Sequence, residues 1–324
     1  MLVTYIQAIN QAMHEEMARD DNVFLLGEDV GVLGGAFKAT DGMLARFGNE
    51  RVVDTPISES LIVGAGVGMS IQGMRPILEM QFIDFISCGF DQIVNMAATL
   101  RYRHGGQTAC PIVVRGPCGG GVHGGLYHSQ NPEAWFFHVP GLKVVAPATA
   151  YDAKGLLKSA IRDDDPVIYL EHKFLYRRIK EDIPESEFVV PIGKAALRKE
   201  GRDLTVIAYG SPVHAVMKAA KDMAKEVDIE VIDLRTLLPL DWKTIRASVG
   251  KTGKVLIVHE ARRTGGIGGE IAARIAEELF ESLDGPVMRV AARDTHNAFS
   301  APLEEYILPN QEKITEAIRK LASY

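Results

Sequence analysis

One glutamate stands where the sequence could place a carboxylate for proton chemistry. Glu59 lies between an extended run, Val52–Ile57, and a stretch in which glycines alternate with small and apolar residues, "IVGAGVGMS". Glycine lowers the stability of a helix unless the backbone must approach something closely. The order of these segments predicts a carboxylate at the start of a closely packed helix, where it could act as a general acid or base.

A glycine-rich loop supplies the second set of candidates. The segment Pro117–Phe136, "PCGGGVHGGLYHSQNPEAWF", combines glycines with His123 and His128. Glycines let a backbone approach a ligand, and histidine is the side chain that transfers protons most readily near neutral pH. Together with Cys118 the histidines match no standard zinc-ligand spacing. The loop therefore predicts a ligand-facing segment with candidate proton carriers rather than a zinc site.

Short apolar strands alternate with helices, a pattern typical of an α/β fold with a parallel sheet. The predicted strands of the first half are Val23–Asp29, Pro76–Phe82, Cys110–Pro117 and Leu142–Thr149, and the predicted helices include Phe90–Tyr102 and Tyr151–Ile161. Gln81 and Phe85 fall near the carboxyl end of the second strand. Ligands of open parallel sheets bind at that end of the strands, so both residues are candidates for a binding site.

The chain is long enough for two domains. Its 324 residues exceed the size of one comfortable core. A charged, proline-bearing stretch, Tyr176–Ala195, separates the first series of strands and helices from a second one. We therefore predict a first domain over residues 1–180, a linker over 181–194 and a second domain over 195–324.

Composition disfavours several classes of function. The net charge is -6, and no basic stripe of the kind that binds nucleic acid is present. No apolar run reaches the roughly 18 residues of a membrane span. The three cysteines form no Cys-x-x-Cys pair, which fits reduced thiols. "GAGVG" has Met69 where a dinucleotide fingerprint needs its third glycine. We expect a cytoplasmic protein that binds neither nucleic acid nor membrane.

The longer motifs carry a resemblance that runs nearly from end to end. They include "GEDVG", "RVVDTPISE", "GGGVHGGLYHSQNPEAWF" and "KTGKVLIVHEA". With these motifs the chain resembles the beta subunit of the thiamin-diphosphate-dependent decarboxylating component of 2-oxoacid dehydrogenase complexes. The resemblance implies two α/β domains, a pyrimidine-type thiamin-diphosphate-binding domain with a parallel sheet and then a transketolase C-terminal-like domain.

The resemblance also implies residue roles. The glutamate that matches Glu59 hydrogen-bonds the aminopyrimidine ring of the cofactor at N1′ and acts as a general acid or base through it. Phe85 matches the aromatic residue that packs on this ring, and Gln81 and Ile57 match other residues of the same pocket. His128 matches a histidine that faces the incoming lipoyl group and donates a proton during acyl transfer.

A potassium ion is a further implication. In some family members potassium (K+) is enclosed beside the segment that matches "AIRDDDP". The matching residues here are Ile112, Ala160, Ile161, Asp163 and Asp165. A helix end followed by an acidic turn would account for the same residues without an ion, and both interpretations stay open at this point.

The sequence carries half of the family's cofactor site. In the family, the diphosphate and Mg2+ are bound by a Gly-Asp-Gly segment, and this chain has no Gly-Asp-Gly. The resemblance therefore implies an alpha subunit that completes the site, in an α2β2 heterotetramer with thiamin diphosphate and Mg2+. The implied reaction is oxidative decarboxylation of a branched-chain 2-oxo acid and acyl transfer to the lipoyl group of an acyltransferase core.

The sequence also allows alternative functions. Within the same chemistry, the alternatives are the beta subunit of a pyruvate or acetoin dehydrogenase and one half of a split transketolase. A non-catalytic assembly subunit and a nicotinamide dehydrogenase represent other classes. The presence of Glu59 and His128 disfavours a purely structural subunit, and the incomplete glycine fingerprint disfavours the nicotinamide enzyme.

Overall fold

The structure, a computed structural model, describes all residues from 1 to 324. Its contacts divide the chain into two compact units. The first unit comprises Met1–Cys118 and Trp135–Ile192, and the second comprises Gly119–Ala134 and Gly193–Tyr324. Each unit contains its own strands and helices. No helix combines the length and the apolar character that crossing a membrane requires.

Six of the eight strands of the first unit pair in parallel. The strands are β1 (Leu2–Thr4), β2 (Val23–Gly27), β3 (Val52–Asp54), β4 (Arg75–Glu79), β5 (Val113–Cys118), β6 (Lys143–Val145), β7 (Val167–His172) and β8 (Lys180–Asp182). Strands β2 to β7 pair in parallel in the order β6-β7-β5-β4-β2-β3. β1 and β8 form a separate antiparallel pair. Because β2 lies between β3 and β4, the strand order reverses at β2, and ligands of open sheets bind at such a reversal.

Helices cover the strands of the first unit. They are α1 (Tyr5–Arg19), α2 (Met43–Phe47), α3 (Glu59–Ile71), α4 (Ala98–Arg103) and α5 (Ala150–Arg162). A 3-10 helix, Ile83–Gly89, and a π-helical turn, Gln92–Ala97, precede α4. α1 starts at a capping box, in which the Thr4 hydroxyl accepts from the Gln7 N–H and the Gln7 side chain accepts from the Thr4 N–H. α1 packs on α5, and their apolar faces form much of the core.

The second unit is also α/β. Its strands are β9 (Ala196–Lys199), β10 (Leu204–Ala208), β11 (Ile229–Asp233), β12 (Thr236–Leu238), β13 (Val255–Arg262) and β14 (Met288–Ala292). Five of them pair in the order β14-β13-β10-β11-β9, and only β9, at the edge, is antiparallel. Its helices are α6 (Pro212–Asp222), α7 (Trp242–Thr252), α8 (Ile267–Glu278), α9 (Ala301–Ile307) and α10 (Gln311–Ala322). The predicted fold class, two α/β domains with mostly parallel sheets, is confirmed.

The division by contacts differs from the predicted domain boundaries in two segments. Residues Gly119–Ala134, which fall within the predicted first domain, group with the second unit, because side chains of that unit hold the loop by hydrogen bonds. The first two residues of the predicted linker belong to β8, which pairs with β1 in the first unit.

Candidate active site

Glu59 is the first residue of α3, as the sequence predicted. The hydroxyl of Ser58 caps the helix by accepting a hydrogen bond from the Leu61 N–H at 3.4 Å. Ser/Thr/Asp/Asn caps and an acidic first turn both favour this helix start, because the free N–H groups there carry partial positive charge. The Glu59 side chain is half-buried. It therefore stands between the packed interior and solvent.

Glycines allow α3 to lie close to its neighbours. A Cβ atom at Gly66 would lie 2.5 Å from the side chain of Leu78, so the glycine lets the helix rest directly on β4. A Cβ atom at Gly89 would lie 3.1 Å from the carbonyl oxygen of Glu59. The 3-10 helix that ends at Gly89 therefore packs against the first turn of α3. Close backbone approach explains the glycines that looked unfavourable for a helix.

Acidic side chains gather where β2 ends. Glu28 and Asp29 follow β2 directly, and the amide of Gln81, just after β4, donates a hydrogen bond to the Asp29 carboxylate at 3.0 Å. Burial, together with the negative charges of Glu59 and Asp29, raises the pKa of Glu28. The structure thus brings Glu28, Glu59 and Gln81 to one edge of the first unit, at the strand reversal.

Buried polar atoms at this edge have no hydrogen-bond partner in the chain. They are Glu28 Oε1, Thr55 Oγ1 and Gln92 Oε1. The Thr55 N–H donates to the carbonyl of Gly27 at 2.9 Å, so Thr55 lies beside the end of β2. The Gln92 side chain lies 3.6 Å from the position of a Cβ atom at Gly64, on α3. Buried polar atoms nearly always have partners, and these three fit a polar ligand inserted at this edge.

The remaining residues predicted for the pocket occupy different surroundings. Phe85 lies half-buried in the 3-10 helix that contacts the first turn of α3. Ile57 lies on the connection between β3 and α3, and its side chain is 85% exposed. The first unit therefore does not enclose Ile57. His128 belongs to the second unit, with the rest of the glycine-rich loop.

Two buried or half-buried glutamates hold the glycine-rich loop within the second unit. Glu304 accepts from the Gly121 N–H at 2.9 Å and from the His123 N–H at 3.2 Å. Glu260 Oε1 accepts from the Gly120 N–H at 2.6 Å and from the Asn131 amide at 2.9 Å. Carboxylates that accept backbone N–H bonds make strong, charge-assisted contacts. The loop is therefore fixed by the second unit in spite of its many glycines.

The two candidate histidines lie in this loop. Nδ1 of His123 lies 2.7 Å from Oε2 of Glu304, and the His123 backbone has a positive φ of 59°. A carboxylate on one ring nitrogen orients an imidazole and leaves its other nitrogen for exchange of a proton. His128 is half-buried and follows a short 3-10 turn, Gly125–Tyr127. The glycine-rich segment thus presents two histidines on an ordered backbone.

A buried ion-pair cluster beneath the acidic edge was missed by sequence reasoning. Arg115, on β5, pairs with Glu79, on β4, and with Glu171, on β7, and all three side chains are buried. Its Nη2 donates to Glu171 at 2.7 Å, and the Tyr176 hydroxyl donates to the same carboxylate at 2.6 Å. The signal was present in the sequence, because Glu79, Arg115 and Glu171 each stand in a short apolar run, and a charged residue in a buried strand needs a partner of opposite charge.

The five candidate potassium ligands lie around the end of α5. Both carboxylate oxygens of Asp163 are 2.6 Å from the ammonium nitrogen of Lys143. No group of three or more His, Cys, Asp or Glu side chains is arranged to hold a metal ion.

Comparison with known proteins connects this geometry with a family. The family described as the transketolase pyrimidine-binding domain matches residues 2–178, and the transketolase C-terminal domain matches residues 193–314. The 2-oxoisovalerate dehydrogenase subunit beta of Bacillus subtilis is 52% identical over 325 residues, which cover 100% of this chain and 99% of that protein. The pyruvate dehydrogenase E1 component subunit beta of Bacillus subtilis is 46% identical over 323 residues, which cover 99% of each chain.

Solved structures share the fold. A split gene transketolase, an inactive beta4 tetramer, superposes with a TM-score of 0.80 at 22% identity, covering 99% of this chain and 98% of that chain. Transketolase from Leishmania mexicana gives a TM-score of 0.71 at 16% identity, covering 99% of this chain and 46% of that chain. Both likenesses concern the fold alone. The two domain matches and the full-length relatives show that the chain belongs to the 2-oxoacid dehydrogenase E1 beta subunit family, which is built from two transketolase-like domains.

Proposed function

We propose that this chain supplies the catalytic carboxylate of a thiamin-diphosphate-dependent 2-oxoacid dehydrogenase, whose active site is completed by an alpha subunit. One observation carries the proposal. Glu59 stands half-buried at the start of α3, at the strand reversal of a domain that matches the transketolase pyrimidine-binding family. A carboxylate in that position can hold and move a proton on a ring bound at the sheet edge.

The residues at this edge fit the aminopyrimidine part of the cofactor. Thiamin diphosphate, when bound, supplies a positively charged ring that accepts electrons as carbon dioxide leaves the 2-oxo acid. In our proposal the Glu59 carboxylate binds the pyrimidine at N1′ and exchanges a proton there, and Phe85 packs on the ring. Gln81 and Ile57 complete the pocket. The buried oxygens Glu28 Oε1 and Thr55 Oγ1, which have no hydrogen-bond partner in the chain, support this assignment. The amino group of the pyrimidine ring is a hydrogen-bond donor, and these oxygens can accept from it.

An exposed apolar surface supports the requirement for an alpha subunit. Val32, Leu33, Ile57 and Leu61 are each more than half exposed. Val32 and Leu33 follow β2, Ile57 follows β3, and Leu61 lies in the first turn of α3. Clustered apolar side chains on a surface mark interaction sites. We propose that an alpha subunit covers this surface in an α2β2 assembly and binds the diphosphate and Mg2+.

The second half of the proposed reaction concerns His128. We assign it as the proton donor that acts when the acyl group passes to the lipoyl group of an acyltransferase core. The hydrogen bonds that the loop N–H groups donate to Glu260 and Glu304 support this role, since a proton donor must be held in place to act on an incoming group. His123, oriented by Glu304, is a second candidate for the same step.

A branched-chain 2-oxo acid is the proposed substrate. The 2-oxoisovalerate dehydrogenase subunit is 52% identical to this chain, and the Bacillus subtilis pyruvate dehydrogenase subunit is 46% identical. For the complex with its alpha subunit, we predict a kcat/KM for 3-methyl-2-oxobutanoate at least about 10-fold above that for pyruvate, because added methyl groups in an apolar pocket are worth about 10–200-fold.

The measurement is substrate-dependent reduction of an electron-accepting dye, which needs no acyltransferase and does not require that the substrate carry a carboxyl group. Pyruvate and acetoin are assayed beside the branched-chain acid with the same enzyme preparation. A preference for pyruvate or acetoin would identify the chain instead as the beta subunit of a pyruvate or an acetoin dehydrogenase. Turnover of none of the three by a correctly assembled complex would favour the non-catalytic assembly subunit.

A further inference from the structure

The turn after α5 concentrates negative charge. Asp163, Asp164 and Asp165 follow one another directly after α5, which ends at Arg162. The carbonyl end of a helix is itself partially negative. A run of carboxylates at that end needs positive charge close by.

A lysine ammonium lies in the middle of the turn. Nζ of Lys143 is 2.6 Å from both carboxylate oxygens of Asp163 and 3.5 Å from Oδ2 of Asp165. Lys143 is the first residue of β6 and lies opposite Val167 of β7, so strand register brings it beside the turn. Its N–H also donates to the carbonyl of Pro166 at 3.0 Å. The lysine is therefore held in place by its backbone as well as by its charge.

Two arginines complete the neutralisation. Arg75 contacts Asp164 Oδ1 at 2.5 Å and donates to the Asp163 carbonyl at 3.0 Å. Arg101 donates to Asp165 Oδ1 at 2.5 Å, and this hydrogen bond raises the pKa of Arg101. Three cationic side chains thus face three carboxylates, so the turn needs no further positive charge.

The carbonyl groups expected to bind potassium already accept hydrogen bonds. The Ile112 carbonyl accepts from the Val167 N–H at 3.0 Å, and the Ala160 carbonyl accepts from the Asp163 N–H at 3.2 Å. The Ile161 carbonyl accepts from Nη1 of Arg75 at 3.3 Å. A potassium ion bound by the Asp163 carboxylate would also lie against the Lys143 ammonium. Each carbonyl keeps a second lone pair, so the ammonium decides: because Lys143 Nζ already contacts both Asp163 oxygens, the donor set in this structure does not fit a second cation there.

We propose that the Lys143 ammonium is the built-in cation of this turn and takes the place of a monovalent metal ion. Stability of the chain then does not depend on potassium. The proposal rests on contacts within the first unit and does not depend on the proposed reaction. Because a tethered ammonium cannot dissociate, the turn stays neutralised at any concentration of potassium.

Thermal unfolding of the full chain tests the proposal in potassium, sodium and choline chloride at equal ionic strength. The wild-type Tm is expected to be the same in all three salts. Lys143→Ala removes the ammonium and leaves space for an ion, so its Tm in choline should fall by at least about 2–4 °C. Potassium should restore part of that loss in a saturable manner. Lys180→Ala, which removes an exposed lysine from β8, is the matched control and should respond to none of the salts.

Three results would overturn the proposal. The first is a saturable, potassium-specific rise in the Tm of the wild-type chain, which would show an ion site beside Lys143. The second is a Lys143→Ala chain as stable as wild type in choline, which would show that the ammonium does not stabilise the turn. The third is a loss of stability in Lys143→Ala that potassium does not reduce. If that variant does not fold, the wild-type measurement and the potassium content of the dialysed chain by atomic emission still decide.

Discussion

Glu59→Gln is expected to lower kcat of the assembled enzyme by about 10²–10⁴-fold, the range in which general acid and base groups contribute to rate. The amide has nearly the same size and can still hydrogen-bond, but it cannot take up and release a proton. Because Glu59 is half-buried in the first turn of α3, its charge contributes only about 0.3–1 kcal/mol to stability through the helix dipole. Activity should therefore be lost without loss of the fold.

The effect is measured as steady-state decarboxylation by the complex with the alpha subunit, and the Tm of the variant is recorded beside it. Glu50→Gln is the matched control, since Glu50 is exposed and precedes β3 at the opposite end of the strand. The control should retain wild-type kcat. A Glu59→Gln complex with kcat comparable to wild type would place the proton transfer on another group.

Arg115→Met is expected to lower the free energy of unfolding by about 3–5 kcal/mol, the cost of breaking a buried ion pair by removing one partner. The methionine fills much of the volume but leaves the buried carboxylates of Glu79 and Glu171 without their counter-ion. Equilibrium unfolding in urea measures the loss. Arg103→Met, in the last turn of α4, removes an exposed arginine and should cost far less.

The loss from Arg115→Met should also depend on pH. Burial already raises the pKa of Glu79, and the charge of Arg115 opposes that rise, so removing the arginine raises this pKa further. A carboxyl whose pKa is raised in the folded protein lowers the free energy of unfolding as the pH rises above the pKa of the unfolded chain, about 4.3 for glutamate. The difference between variant and wild type should therefore be larger at pH 7.5 than at pH 5. A loss that is equal at both pH values would contradict the buried-charge explanation.

Local patterns were sufficient to predict several features. The start of α3 at Glu59 follows from a cap residue, an acidic first turn and a change from extended to helical periodicity, all within a few residues. Short apolar runs likewise predicted β2 and β5, because a run of apolar residues bounded by turn residues is a local signal for a buried strand. These signals depend only on neighbours in the chain, so one sequence contains them.

Long-range pairings could not be predicted in the same way. Glu304 contacts a loop 181 residues earlier in the chain, and by itself it looks like an ordinary acidic helix residue. Lys143 likewise lies 20 residues from Asp163 and reaches it only through the pairing of β6 with β7. The same limitation applies to Gly119–Ala134, whose hydrogen-bond partners Glu260 and Glu304 lie in the second half of the sequence.

The central claim is that this chain holds one half of a thiamin-diphosphate site. The most direct measurement compares decarboxylation of 3-methyl-2-oxobutanoate by the chain alone, by the alpha subunit alone and by their mixture, with thiamin diphosphate and Mg2+ present throughout. We predict turnover in the mixture only. Turnover by the chain alone at the rate of the mixture would contradict the shared site.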